Sequence, residues 1–198
     1  MDLERWKLNE WRDRIARVIR DLEARRRPDG SLKIFKLSKA DGGGEWEIAG
    51  INTRFHPHEA EELARLILSG RWQEADERAA DYIAGYTDVA ENWEGRLGPQ
   101  MFLRDTVFNR GARGAAKILQ RALNILGERL EVDGRVGPLT RAATRRAEGQ
   151  ALVRALRAAR EDYEREVAKR NESSEFWQGL VNRWNKVEAL ALNPELIP

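Results

Sequence analysis

The feature that most constrains the fold is a succession of amphipathic helical patterns that one short segment of different character interrupts. Residues 5–26 carry apolar side chains at helical spacing, with charged residues between them. The sequence Pro-Asp-Gly at residues 28–30 then stops this pattern. Residues 31–38 and 45–51 look like strands on either side of a glycine-rich turn, which predicts a hairpin over residues 31–52. The sequence therefore predicts a mainly α fold with a small β-hairpin after the first long helix.

Helical patterns also occupy most of the chain that follows the hairpin. Their predicted ranges are 58–69, 72–86, 99–109, 113–126 and 138–147, followed by two longer helices around 152–167 and 174–190. A long helix, a small β-element and a helical lobe follow one another in this order in the lysozyme-like layout, whose cleft lies between the hairpin and the helical lobe. We expect an N-terminal lobe over residues 1–98 and a helical lobe over residues 99–198, joined in one compact unit.

The composition excludes several classes of site. The chain of 198 residues contains no cysteine, so disulfides, thiolate metal sites and cysteine nucleophiles are excluded. The histidines His56 and His58 are separated by Pro57 and have no evident third ligand, so we expect no metal site. The formal charge of +2 is small and the basic residues do not gather in one block, which predicts no nucleic-acid partner. The N-terminus lacks an apolar signal segment and no run reaches the length of a membrane-spanning helix, so we expect synthesis in the cytoplasm and no membrane insertion.

Four short signatures stand out in the second half of the chain. They read FLRDTVFNRG at residues 102–111, AAKILQRAL at residues 115–123, VDGRVGPLT at residues 132–140 and FWQGLVNRW at residues 176–184. Together they resemble the C-terminal part of glycoside hydrolase family 108, in which an N-acetylmuramidase-like domain is followed by a predicted peptidoglycan-binding domain. The resemblance implies a bacterial or phage wall enzyme, of the endolysin or secretion-activator kind, that needs no cofactor. Its substrate would be peptidoglycan, reached at the cell wall or periplasm through a holin or an export system.

The general acid of such an enzyme must hold a proton near neutral pH, which apolar surroundings favour. Glu23 follows Leu22 at the end of the first helix, just before the chain turns into the hairpin. The family resemblance implies that the catalytic glutamate lies at this place, in a Glu-Gly-Gly motif. Here Glu23 is followed by Ala24 and Arg25 instead of two glycines. The alternative interpretation is a surface glutamate paired with a neighbouring arginine.

The second carboxylate of a glycosidase acts as the base for water or as the nucleophile. In the resembling family the hairpin reads Asp-x-Gly-Gly-x-Thr, followed by Gly-Ile, and this chain has Asp41-Gly-Gly-Gly-Glu45-Trp46 followed by Gly50-Ile51. Asp41, Glu45 and Glu47 are therefore the candidates for this role. A strand places Glu45 and Glu47 on the same face. Alternatively, Asp41 is a turn residue and both glutamates lie on a solvated hairpin face.

Four further residues are candidates for binding the glycan. Trp46 lies in the hairpin, where its indole could stack on a sugar ring. Asp105 and Asn109 lie four residues apart on one helix face, and Arg104 could meet carboxylates of the peptide stems. The alternative for Asp105 and Asn109 is a buried polar pair that fixes helix packing. The predicted function is a muramidase-type peptidoglycan hydrolase, with a non-catalytic wall-binding or phage structural module and a chitosanase-like glycanase as alternatives.

Overall fold

A computed structural model describes residues 3–38 and 44–198 of the chain. The chain divides into two compact units, Met1–Tyr86 and Thr87–Pro198. Within the described ranges, none of the helices combines the length and the apolar character that crossing a bilayer requires. The predicted fold class is confirmed: the protein is mainly helical, with a small antiparallel sheet after the first long helix.

The first unit contains three helices and a three-stranded sheet in its described part. The elements are α1 (Leu3–Glu23), β1 (Phe35–Lys36), β2 (Trp46–Ile48), β3 (Ile51–Asn52), α2 (Pro57–Leu68) and α3 (Trp72–Thr87). The strands are antiparallel in the order β1-β2-β3, and α2 packs on β2 and β3. The core is formed by fully buried aliphatic side chains of α1, the sheet, α2 and α3, namely Ile15, Ile19, Ile48, Ile51, Leu63 and Ile83.

The sheet differs from the predicted hairpin by one strand. The sequence predicts a single returning strand over residues 45–51, whereas the chain reverses after Ile48 and pairs Ile48 with Ile51. Ala49 and Gly50 form the two-residue turn with φ values of 50° and 75°. Positive φ at both central residues is what a tight hairpin turn of this kind requires, although it disfavours an alanine. Because alanine is unusual at such a position, the sequence did not predict this turn.

The second unit is helical throughout its regular part. Its main helices are α4 (Leu97–Ile125), α5 (Pro138–Arg146), α6 (Gly149–Glu166) and α7 (Trp177–Leu192), with short 3-10 helices at Asp88–Asn92 and Pro194–Leu196. Helix α4 packs against both α6 and α7. Gly111 adopts φ 66° and ψ 166° inside α4, so the predicted break between two helices at this glycine is confirmed.

The core of the second unit surrounds the middle of α4. Large side chains with at most 1% exposure come from α4, α6 and α7, among them Phe102, Leu119, Leu156 and Trp184. Trp177 and Trp184 meet edge to face, with ring centroids 5.7 Å apart. The helical spacing of seven residues thus placed both indoles in the core.

Candidate functional site

Glu23 is the last residue of α1 and its side chain is half-buried. Beyond it, the chain runs antiparallel to the segment that leads into β1. Arg26 bridges to Leu32, and the amide of Lys33 donates to the carbonyl of Arg25 over 2.8 Å. Glu23 therefore lies at the point where the first helix leads into the small sheet, as the sequence predicts.

Glu47 lies in β2, the strand that pairs with β1. Phe35 of β1 pairs directly with Glu47 of β2, and the guanidinium of Arg25 lies 3.6 Å from the centre of the Phe35 ring. The side chain of Glu47 is half-buried. The contact between Arg25 and Phe35 thus connects the chain segment that follows Glu23 with the strand position opposite Glu47.

The other hairpin candidates differ in exposure. Glu45 is exposed, its backbone amide donates to Oγ1 of Thr53 over 2.9 Å, and its carbonyl accepts from the amide of Leu37. Trp46 is half-buried and pairs with Lys36 across the sheet. Asp41 lies outside the described residues.

Arginines surround the end of α1 and are engaged by two aspartates. Arg26 donates to Oδ1 of Asp21 over 2.7 Å and to Oδ1 of Asp76 over 3.0 Å, and Arg20 also pairs with both aspartates. Partial burial opposes ionisation of Asp21, but the hydrogen bonds from Arg20 and Arg26 lower its pKa overall. Arg26, one of the arginines close to Glu23 in the sequence, is bound by both Asp21 and Asp76.

Arg104 lies inside the second unit. Its side chain is 1% exposed and donates to Oε1 of Gln100 over 2.8 Å, to Oγ1 of Thr87 over 3.1 Å and to Oδ1 of Asp88 over 3.0 Å. The bonds to Thr87 and Asp88 tie α4 to the chain at the start of the second unit. A guanidinium in such surroundings holds the unit together through buried, charge-assisted hydrogen bonds.

Asp105 and Asn109 do not pair through their side chains. Asp105 is 2% exposed and accepts a hydrogen bond from Nε of Arg183 over 3.0 Å, which joins α4 to α7. The amide of Asn109 donates to the backbone carbonyl of Asp105, one turn back in the same helix. The buried polar pair that the sequence suggested at this place is therefore between Asp105 and Arg183.

Two buried charges of the same region were not expected from the sequence. Arg160 and Glu164 of α6 are 1% and 0% exposed, and Arg110 donates to Oε1 of Glu164 over 2.5 Å. Burial and the nearby charge of Arg110 lower the pKa of Arg160 to about 10. The only sequence signal was their spacing of four residues, which is equally typical of an exposed helix pair.

The Asp-Gly loop between α4 and α5 is held by Gln120. The amide of Gln120 donates to Oδ1 of Asp133 over 2.7 Å, while its oxygen accepts from the amide of Gly134 over 2.9 Å. Oδ1 of Asp133 also accepts from the amide of Arg135 over 2.8 Å. Asp133 thus bonds a backbone amide of its own loop, and Gln120 is a partner that the sequence did not reveal.

Gly134 is expected to be the least replaceable residue of this loop. Its φ is 78°, and a β-carbon would lie 2.8 Å from Cγ and 3.1 Å from the carbonyl oxygen of Arg113. Gly134→Ala should lower the free energy of unfolding of the second unit by about 1–2 kcal/mol, measured by urea denaturation. Gly179→Ala is the matched control, because Gly179 lies in α7 with no atom within 4 Å of the place that an added methyl would occupy. This substitution should raise the free energy of unfolding by up to about 1 kcal/mol. Equal effects of both substitutions would contradict the prediction.

Polar side chains of α2, α3 and His56, the residue just before α2, lie in the first unit. Nδ1 of His56 lies 2.7 Å from the hydroxyl oxygen of Tyr82. His58, Glu59 and Glu62 bring ligand-type atoms within 4.8 Å of one another, which is the spacing of a metal site. Arg78 lies against both carboxylates, with its Nε 2.8 Å from Oε1 of Glu59 and its Nη2 3.2 Å from Oε2 of Glu62. The single guanidinium of Arg78 therefore already offsets one of the two carboxylate charges of this cluster.

The burial of His56 gives the first unit a predictable pH dependence. Desolvation lowers the pKa of His56 below its ordinary value of 6.5. The unfolded chain therefore binds a proton at His56 more readily than the folded chain does. For this reason the contribution of His56 to the stability of the first unit is present above about pH 6.5 and is lost as the pH falls through its folded-state pKa. The free energy of unfolding, measured in urea, should fall more between pH 7.5 and pH 5 in the wild type than in His56→Gln. His58→Gln is the control, since His58 is exposed and should retain the wild-type loss.

Comparison with known proteins links part of the chain to peptidoglycan. Residues 114–185 match the family model described as a Predicted Peptidoglycan domain. This range includes the second part of α4, the Asp-Gly loop, α5, α6 and the first part of α7. No curated protein and no solved structure matched the chain. The match supports peptidoglycan as the partner of the protein and cell-wall binding as its coarse function.

Proposed function

We propose that this protein is a peptidoglycan hydrolase of the muramidase type, in which Glu23 protonates the glycosidic oxygen. The observation that carries the proposal is the match of residues 114–185 to a peptidoglycan family model. The position of Glu23 adds to it, since a half-buried carboxyl lies at the junction of the first helix and the small sheet. A general acid at this place would protonate the leaving glycosidic oxygen.

The second carboxylate of the proposed reaction comes from the hairpin. Glu47 is favoured over Glu45 because it is half-buried and lies opposite Phe35, whereas Glu45 is exposed. Asp41 remains the third candidate. Hydrolysis of a glycosidic bond then needs a proton donor, a carboxylate that acts as base or nucleophile, and water. The proposed chemistry requires no cofactor.

Substrate contacts are proposed for Trp46 alone among the four binding candidates. Its indole is half-buried in β2, the strand that also carries Glu47, and an aromatic face can stack on a sugar ring. Arg104 and Asp105 are occupied by their own buried partners, and Asn109 bonds its own helix. We propose that these three residues support the second unit and that the protein acts at the wall after passage through a holin or an export system.

One observation favours a wall-binding protein without hydrolysis as the second candidate. In the resembling family two glycines follow the catalytic glutamate, while here the corresponding Arg25 stacks on Phe35. A bulky pair at this point fills space that two glycines would leave open. The fold would then serve to hold peptidoglycan, with no turnover.

Mass spectrometry of products released from purified peptidoglycan tests the proposal. A muramidase releases fragments that end in reducing muramic acid, and we expect these from the wild-type protein. Fragments that end in reducing glucosamine would replace the muramidase assignment with a glucosaminidase. No release, together with co-sedimentation with the wall, would establish the binding-only candidate. Cleavage of chitosan oligomers with intact peptidoglycan would instead identify a chitosanase-like enzyme.

A further inference from the structure

Part of the second unit carries an excess of positive charge that is not evident from the small net charge of the whole chain. Residues 113–146 contain eight arginine or lysine residues and three aspartate or glutamate residues, while the full chain has a formal charge of only +2. Two of the eight cations are paired: Arg121 with Glu166, and Arg146 with Glu128. The remaining six define what we call the basic surface: Arg113, Lys117, Arg129, Arg135, Arg141 and Arg145.

The basic surface is accessible and unneutralised within the described part of the chain. Its five arginines are exposed and Lys117 is half-buried. None of the six makes an ion pair with another described residue. Among the acidic residues of the range, Glu128 is engaged by Arg146 and Asp133 is held by Gln120, which leaves Glu131. The surface therefore keeps a net positive charge.

Packing of the Asp-Gly loop brings several of these cations together. A β-carbon on Gly134 would lie 2.8 Å from Cγ of Arg113 and 3.2 Å from Cγ of Lys117, so the loop rests directly on the stems of these two side chains. Arg135 is the next residue of the loop. The loop ends at Gly137, whose carbonyl accepts from the amide of Arg141 in the first turn of α5.

We propose that the basic surface binds the carboxylates of the peptide stems of peptidoglycan. Guanidinium groups suit carboxylates because their parallel N–H donors match the two oxygens. All six cations lie within or one residue from the range that matches the peptidoglycan family model. The inference rests on the part of the proposed function that concerns binding to peptidoglycan, and it does not depend on hydrolysis.

A nucleic acid is the other polyanion that such a charge could attract. Proteins that hold single strands combine cations with aromatic side chains on which bases stack. Residues 110–160 contain no phenylalanine, tyrosine or tryptophan. Charge without a stacking platform favours a ligand with discrete carboxylates over one with exposed bases.

Binding to purified peptidoglycan sacculi by co-sedimentation tests the inference. Arg135→Gln combined with Arg141→Gln should weaken binding roughly tenfold at low salt, and the difference should shrink at about 0.5 M NaCl. Lys169→Gln combined with Lys186→Gln is the control, because it removes the same charge from exposed positions of the same unit outside the basic surface. Arg135→Lys combined with Arg141→Lys should restore part of the affinity. Sacculi whose carboxylates have been amidated should bind the wild type at least as weakly as untreated sacculi bind the glutamine variant.

Three results would overturn the inference. They are equal binding of the glutamine variant and its control, unchanged binding to amidated sacculi, and absence of wild-type binding to sacculi. Binding of an oligonucleotide that the glutamine variant loses, with sacculus binding unchanged, would assign the surface to nucleic acid. All binding measurements use Glu23→Gln as well as wild type, so that loss of hydrolysis and loss of wall binding are distinguished.

Discussion

Glu23→Gln is expected to lower the rate of glycan-strand cleavage by about 10³-fold while leaving wall binding unchanged. A positioned general acid typically contributes 10²–10⁴-fold, and glutamine keeps the size of glutamate but cannot donate an acidic proton. Release of muramic acid fragments from purified peptidoglycan measures the rate.

Glu10→Gln is the matched control for this substitution. Glu10 lies on the same helix, α1, and is exposed, so the same change in charge and size should leave the cleavage rate unaltered. Persistence of wild-type cleavage in Glu23→Gln would contradict the assignment and move the acid into the hairpin. Glu47→Gln and Glu45→Gln then separate the hairpin candidates, with the larger loss expected for Glu47.

Local periodicity accounts for most of what could be predicted about the fold. The helices and the break at Gly111 followed from apolar spacing and from glycine, because both act within a few residues. The turn at Ala49 and Gly50 was not predicted, because alanine seldom adopts a positive φ. Here Ala49 adopts one in the turn that pairs Ile48 with Ile51.

The buried charges show a different limit of sequence reasoning. Arg104, Arg160 and Glu164 have the spacing of solvated helix faces but are buried. Arg104 and Glu164 bond to partners from other elements, whereas Arg160 pairs with Glu164 of its own helix near the Trp184 ring of α7. Gln120 was missed because its three side-chain hydrogen bonds go to a loop more than twelve residues away. In the candidate site, the position of Glu23 at the helix end was predictable, whereas the contact of Arg25 with Phe35 required the fold.

Asp105→Ala is expected to lower the free energy of unfolding of the second unit by about 3–5 kcal/mol. Removing one partner of a buried ion pair leaves the other charge uncompensated, and this penalty exceeds the strength of most single contacts. Arg183 would then face a region in which Arg110 and Arg160 also carry positive charge. Urea denaturation followed by circular dichroism measures the effect. Asn109→Ala is the control on the same helix and should cost about 1 kcal/mol, since only its bond to a backbone carbonyl is lost.

A double-mutant cycle separates the structural role of Asp105 from a role in binding peptidoglycan. If the residue acts through Arg183, then Arg183→Leu should cost almost as much as Asp105→Leu, and the two together should cost clearly less than their sum. Replacing both partners with apolar side chains removes the stranded charge, which is the largest part of the penalty. Wall binding by the double variant should then remain close to that of the wild type. A variant that folds normally and fails to bind sacculi would instead place Asp105 at the substrate.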